Sequence, residues 1–193
     1  MRVVVGLGNP GKQYHGTRHN VGYAVVDGLA SAPGAGKFQE RFGAFVADLT
    51  EGDQKLLLVK PLTFMNLSGR CVRQIVDFYQ LPLTDLLVVC DDVALPLGKL
   101  RARARGTHGG HNGLRDIQNH LGTTDYARLR IGVGAGGEQQ DLSDHVLSRF
   151  RPSERPIIDE AIGTAVQAVS VWVRQGIEVC MNRYNAEKKK EEA

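Results

Sequence analysis

The chain of 193 residues is long enough for one globular domain with a sizeable core, and its 42% hydrophobic and 23% charged residues are ordinary for a soluble fold. No apolar run is long enough to span a membrane, and the first residues predict a strand rather than a signal peptide. Three cysteines without a CxxC pair argue against a disulfide framework and indicate a reducing, cytoplasmic setting. The net charge of +3 gives little indication of a nucleic-acid partner.

Predicted strands and helices alternate along the chain. Apolar or alternating segments predict strands at 3–7, 42–49, 55–59, 86–90, 100–105 and 127–133. Helices are expected at 21–29 with Asn20 as the cap, from Asn66 or Ser68 to 79, at 112–121 and at 153–174. This order predicts an α/β fold, a single-domain three-layer sandwich with a twisted mixed sheet flanked by helices. The domain is expected to cover residues 1–185, with a charged tail at 186–193.

The first strand leads into residues 6–11 (GLGNPG), which match the GxGxxG pattern of dinucleotide-binding folds. Pro10 removes a backbone donor where a phosphate-binding helix should begin, and no acidic residue ends a second strand about 20 residues further on. A nucleotide-dependent oxidoreductase is therefore the weaker alternative. We expect the turn to hold Asn9 beside the segment that follows.

Polar candidates follow the predicted strands, where α/β folds place their sites. His19 lies just before a helix, where a histidine is either structural or a catalytic imidazole at a rim. Phe64 and Asn66 fit either a hydrophobic staple with an Asn cap or an aromatic platform with an orienting amide. Asp91 and Asp92 at a strand end are either rigidly held site carboxylates or local turn caps.

Residues 106–113 (GTHGGHNG) form the most distinctive stretch, because so many glycines allow the backbone to approach a ligand at a helix start. A metal could draw ligands from His15, His19, His108 and His111. No HExxH motif or cysteine pair supports such a site, and no GxSxG motif indicates a serine hydrolase.

Positive charge is concentrated in residues 96–130, which contain seven lysines or arginines and two aspartates. The alternation within 100–105 predicts that Arg101, Arg103 and Arg105 share one face of a strand. Such a face attracts phosphate, but a solvated basic surface explains the charge equally well.

Five segments taken together resemble the bacterial peptidyl-tRNA hydrolase family. They are VVVGLGNPGKQYHGTRHNVG, PLTFMNLSG, VVCDDVALPLGKLR, GTHGGHNGLRDI and RLRIGVG. Their order and spacing also match, so the resemblance covers about residues 1–185. It implies hydrolysis of the ester bond between a peptide and the 3′ ribose of tRNA, which releases free tRNA. It also implies a monomeric, cytoplasmic enzyme with peptidyl-tRNA as its partner and no metal or other cofactor.

The resemblance further implies roles for individual residues. His19 matches the general base that activates water, Asp91 the carboxylate that orients it, and Asn9 an amide that helps to select substrates with a blocked amine. Positions that hold the peptide and the tRNA 3′ end are matched by Tyr14, Phe64, Asn66 and Asn112. Positions associated with tRNA phosphate are matched by Arg103 and Arg130.

Two residues depart from the family's pattern. Cys90 stands where relatives often have His, and within a buried strand it is expected to be an inert thiol. Gln139 stands where some relatives carry Lys, in the Gly-rich segment 132–140 that we expect to be a mobile lid. A non-catalytic RNA-binding relative with the same fold is the main alternative to an enzyme, and the presence of both His19 and Asp91 argues against it.

Overall fold

The computed structural model describes residues 1–136 and 141–186. Residues 137–140 of the expected lid segment, including Gln139, lie outside the described residues. Residues 187–193 of the expected tail lie outside them as well. Among the described residues, no helix is both long enough and apolar enough to cross a bilayer.

Seven strands of the described chain form one mixed sheet in the order β2-β3-β4-β1-β5-β7-β6. From β1 to β7 they span Arg2–Gly6, Gln39–Arg41, Ala44–Glu51, Gln54–Pro61, Leu86–Asp92, Leu100–Arg103 and Ala127–Gly132. The central strands β4, β1, β5 and β7 run parallel. Antiparallel strands extend the sheet at both edges. The predicted mixed sheet is confirmed.

Helices cover both faces of this sheet. Those of the described residues, from α1 to α6, are Val21–Ala30, Ser68–Tyr79, Asn112–Leu121, Leu142–Leu147, Arg155–Gln175 and Ile177–Tyr184. Because successive strand side chains point to opposite faces, Val4 joins one apolar core and Val3 and Val5 join the other. α1, α5 and α6 pack in the first core, and α2 and α3 pack in the second. The result is the predicted α/β sandwich.

Glycines at the end of β1 and just after it are required by the close packing of α1. A Cβ atom at Gly6 would lie 2.2 Å from the carbonyl oxygen of Gly22, and one at Gly8 would lie 2.7 Å from the ring of Tyr23. The helix itself begins only at Val21, well after the turn. The GxGxxG match therefore reflects close contact between β1 and α1.

Several local expectations were wrong. The strand expected at 100–105 ends at Arg103, so Arg105 does not belong to it. Asn20 precedes α1 but makes no capping hydrogen bond, because its amide is used elsewhere. The expected start of α2 is confirmed at Ser68, although the Ser68 hydroxyl donates to the carbonyl of Met65 and does not cap the helix. β2, α4 and α6 are short elements that the sequence patterns did not predict.

Candidate active site

A cavity of about 390 Å³ lies at the carboxyl ends of the parallel strands. β1 leads to Asn9, β4 leads to Phe64, and β5 ends with Asp91 and Asp92, so the sheet itself brings these residues together. Most of the predicted site residues line this cavity, namely Asn9, His19, Phe64, Asn66, Asp91, Asn112 and Arg130. Tyr14 and Arg103 do not contribute to its lining.

Asp91 lies between two imidazoles at the base of the cavity. Its Oδ1 atom is 2.8 Å from Nδ1 of His19 and 3.0 Å from Nε2 of His111. Nδ1 of His111 accepts from the backbone N–H of Leu114 at 3.3 Å, so Nε2 of that ring carries the proton that Asp91 accepts. His19 likewise donates from Nδ1, which leaves its Nε2 as the basic nitrogen of the neutral ring.

The carboxylate of Asp91 stays ionised in these surroundings. Burial alone would raise its pKa, but the charge and hydrogen bonds of His111 and His19 hold that pKa well below its usual range. Asp92 is oriented differently, because its Oδ1 accepts from the backbone N–H of Ala94 and its Oδ2 lies 3.0 Å from Nε of Arg130. Of the two adjacent acids, Asp91 is therefore the one that contacts the histidines.

Asn9 is fixed from two sides. Its backbone N–H donates to Oδ1 of Asn20, and its backbone carbonyl accepts from Nδ2 of Asn20, each over 2.9 Å. Its side-chain Oδ1 accepts from the backbone N–H of Met65 at 2.7 Å. The amide nitrogen Nδ2 of Asn9 makes no hydrogen bond within the described residues. It is therefore available as a donor to a molecule in the cavity.

Aromatic and apolar groups form the sides of the cavity. Phe64 is 53% exposed, and Tyr14 packs edge-on against it with ring centroids 6.5 Å apart. Opposite, α4 contributes an apolar wall formed by Leu142, Val146 and Leu147. Two amides lie at helical starts on the rim and are exposed, those of Asn66 and Asn112. An acyl chain with apolar side groups would fit between these surfaces.

A basic surface adjoins the cavity on β6 and β7. Arg103 lies directly opposite Arg128, and Arg101 lies opposite Arg130. Like charges opposed on neighbouring strands are destabilising unless an anion compensates them. Arg128 is buried and donates to backbone carbonyls, whereas Arg103 is exposed. The register therefore places four arginines on one face of β6 and β7, with Arg103 exposed to solvent.

Some candidates from the sequence do not join the cavity. His15 is exposed and lines a separate groove, and Nδ1 of His108 accepts from the backbone N–H of Gly110. Cys90 is fully buried, and this burial raises the pKa of its thiol above the ordinary range. Its position explains why it is not a nucleophile of the site.

The ligand atoms of His19, Asp91 and His111 lie within 4.8 Å of one another, a spacing that could admit a metal ion. A metal ligand must present a lone pair. In this arrangement the two ring nitrogens that face Asp91 act as donors and carry protons. The cluster therefore fits proton transfer better than metal binding.

The comparisons with known proteins agree with this architecture. A model of the peptidyl-tRNA hydrolase family matches residues 3–192, and the chain therefore belongs to that family. It is 48% identical to the peptidyl-tRNA hydrolase of Syntrophomonas wolfei, over 96% of this chain and 100% of that protein. Identity to the Bacillus subtilis peptidyl-tRNA hydrolase is 43%, over 96% of this chain and 99% of the relative. The crystal structure of the Acinetobacter baumannii peptidyl-tRNA hydrolase superposes with a TM-score of 0.90 at 36% identity, covering 96% of this chain and 95% of that one.

His111 and Asn20, whose side chains hydrogen-bond Asp91 and Asn9, were not among the predicted site residues. His111 appeared only as a possible metal ligand, although its place before α3 in a Gly-rich segment was a signal that its ring could face a ligand. Asn20 was interpreted as a helix cap. Its pairing with Asn9 joins positions 11 residues apart, and no sequence pattern marks such a contact.

Proposed function

We propose that the protein hydrolyses the ester bond between a peptide, or an N-blocked amino acid, and the 3′ ribose of tRNA, with His19 as general base. The observation that carries the proposal is the hydrogen bond of 2.8 Å between Nδ1 of His19 and Oδ1 of Asp91. It fixes the tautomer in which the second ring nitrogen can accept a proton. Family membership supports the choice of substrate.

In this mechanism Nε2 of His19 takes a proton from water as the water oxygen attacks the ester carbonyl. Asp91 stabilises the imidazolium that forms. Nδ2 of Asn9, which has no partner within the described residues, can donate to the developing oxyanion. The bond between the acyl carbon and the ribose oxygen then breaks. The proton held by His19 passes to that leaving oxygen, which restores the neutral base.

Substrate binding is divided between the two surfaces described above. The acyl part would lie between Phe64, with Tyr14 behind it, and the apolar wall of α4. Asn66 and Asn112 would hydrogen-bond the amides of the peptide or the terminal nucleotide. Arg103 and Arg130 would contact tRNA phosphate, which positions the substrate without reading its sequence.

The remaining expectations belong to the same proposal. The enzyme acts as a monomer in the cytoplasm, residues 1–185 form its one domain, and its residues perform the reaction without a cofactor. The leaving group is a ribose hydroxyl, so a positioned base and water suffice.

The experiment that tests this function compares an N-acetyl-aminoacyl-tRNA with its free-amine counterpart as substrates. We expect the wild-type protein to release tRNA from the blocked substrate and to spare the free one. The His19→Ala variant should lose about 10² to 10⁴ in rate and still bind tRNA. Binding without turnover by the wild-type protein would instead identify a non-catalytic RNA-binding relative.

A further inference from the structure

Arg18, the residue before His19, is 3% exposed and contacts several separate segments with one guanidinium. Its Nη1 donates to the carbonyl of Val133 at 3.0 Å, its Nη2 donates to Oε2 of Glu154 at 2.7 Å, and its Nε donates to Oγ of Ser148 at 3.3 Å. The guanidinium also lies over the ring of Phe150, 4.8 Å from its centroid.

Backbone contacts also join the Arg18 segment to residues 148–149. The N–H of Arg18 donates to the carbonyl of Ser148 at 3.0 Å, and Thr17 forms an isolated bridge with Arg149. Ser148 directly follows α4, which supplies the apolar wall of the cavity. Arg18 therefore joins the turn that carries His19 to the segment immediately after that wall.

The carboxylate partner is also held in place. Oε2 of Glu154 accepts a second hydrogen bond, from the backbone N–H of Arg151 at 2.7 Å. Burial would raise the pKa of Glu154, but the hydrogen bonds from Arg18 and Arg151 lower it, so the ion pair stays charged at neutral pH. Arg18 is buried and Glu154 is half-buried, so desolvation of the guanidinium offsets part of the attraction, and removal of the Glu154 charge leaves that guanidinium without its counter-ion. The ion pair therefore fixes the relative positions of the Arg18 and Glu154 segments more than it stabilises the fold.

We propose that Arg18 is a positioning residue that ties the apolar wall of α4 to the turn carrying His19, and so sets how firmly the acyl group is held during hydrolysis. The inference rests on the proposed function for its kinetic consequence. His19 has its own partner in Asp91, so loss of the Arg18 side-chain contacts should affect substrate binding rather than proton transfer.

The test uses Arg18→Lys and Glu154→Gln in the full-length protein. Lys keeps the charge but lacks the planar fork that reaches three separate acceptors, and Gln keeps an accepting oxygen but loses the charge. The matched control is Arg155→Gln, which breaks the exposed pair of Arg155 with Asp159 on α5. Thermal unfolding establishes that each variant is folded. Hydrogen exchange then measures the amides of His145 and Ser148, which close the turns of α4.

Exchange at these amides is expected to rise about tenfold in both variants, which corresponds to about 1.4 kcal/mol. For an N-acetyl-aminoacyl-tRNA with an apolar side chain, KM should rise by a similar factor. At the same time, kcat and the acidic limb of the pH–rate profile should stay at wild-type values. The Arg155→Gln control should change none of these.

Unchanged exchange in α4 in either folded variant would overturn the proposal, as would a fall in kcat with a displaced pH profile. If Arg18→Lys does not fold, Glu154→Gln decides the outcome, since that residue is partly exposed. An inactive wild-type protein would refute the proposed function instead, and the exchange experiment would still test the tie.

Discussion

Asn20 holds Asn9 with both ends of its side-chain amide, accepting from the backbone N–H and donating to the backbone carbonyl over 2.9 Å in each case. This pairing fixes the backbone of the residue after β1. The N–H of Met65 then fixes which end of the Asn9 side chain faces inwards. The amide nitrogen is consequently presented to the cavity, and this orientation bears directly on selectivity between blocked and free amines.

Asn9→Asp should lower the ratio of kcat/KM for the substrate with a blocked amine to kcat/KM for the substrate with a free amine. The free substrate carries a cationic amine, which a carboxylate attracts and an amide N–H group does not. The loss of an oxyanion donor should also lower kcat by about 10² to 10³ for both substrates. The measurement is the ratio of kcat/KM for N-acetyl-aminoacyl-tRNA and aminoacyl-tRNA. If both this ratio and kcat stay at their wild-type values, Asn9 has only a structural role.

His19 and Asp91 should behave as one unit in a double-mutant cycle on kcat. His19→Ala is expected to cost about 10² to 10⁴ in rate, and Asp91→Asn should also lower kcat because the imidazolium loses its counter-charge. The double variant should be little worse than His19→Ala alone. Multiplicative effects of the two substitutions would mean that the residues act separately.

Activity should rise with pH through the range in which imidazoles lose their proton, between about pH 5 and 8. Asp91 is already ionised there because its pKa lies well below the usual range. Asp91→Asn removes this charge, and kcat should fall across that range because the imidazolium formed during the reaction loses its counter-charge. Full pH–rate profiles of both proteins test this, and an unchanged kcat across that range would remove Asp91 from the mechanism.

The same carboxylate should make stability depend on pH. Its pKa is lower in the folded protein than the value of about 3.9 expected in an unfolded chain. Its contribution is therefore fully present above that pH and is lost as the pH falls through the folded-state value. Urea unfolding at a series of pH values should show the wild-type protein and Asp91→Asn converging on acidification. A difference that is independent of pH would contradict this.

Arg103→Ala and Arg130→Ala should weaken tRNA binding and leave cleavage of the bound ester largely unchanged. Each lost phosphate contact should flatten the dependence of log affinity on log salt by up to about one unit. Arg73→Ala is a suitable control, because Arg73 is an exposed arginine of α2 paired with Asp77. If both test variants keep the wild-type salt slope, the tRNA site must lie elsewhere.

Exhaustive treatment with EDTA should leave the hydrolysis rate unchanged. The histidine nitrogens that face Asp91 are proton donors, and a metal bound there would have to displace both hydrogen bonds. The rate should be measured before chelation, after it, and after addition of zinc. A large loss that zinc restores would make the cluster of His19, Asp91 and His111 a metal site.

The sequence predicted the elements whose patterns are local and strong. β1, β5 and α3 have apolar periodicity or Gly-rich boundaries that identify them directly. β2 has the sequence QER and is exposed throughout, so no apolar alternation marks it. Its pairing with β3 depends on a tight turn at Phe42 and Gly43, and both residues have positive φ. Glycine favours such a turn, but Phe42 gives no such signal.

The residues of the cavity were predicted in part for the same reason. Strand ends indicated Asn9 and Asp91 as candidates, and both line the cavity. The interpretation of Asn20 as a cap used only its neighbours in sequence, whereas its amide is used by a turn on another segment. The contact of His111 with Asp91 likewise depends on how α3 packs beside β5, and sequence spacing does not specify that arrangement.

The central position of β1 has a consequence for synthesis on the ribosome. Arg2 to Val5 pair with Leu56 to Val59, and the other edge of the strand pairs with residues that end at Val89. This apolar strand thus leaves the ribosome before both of its neighbours and stays unpaired until those segments follow. Vectorial folding cannot complete this part of the core one hairpin at a time.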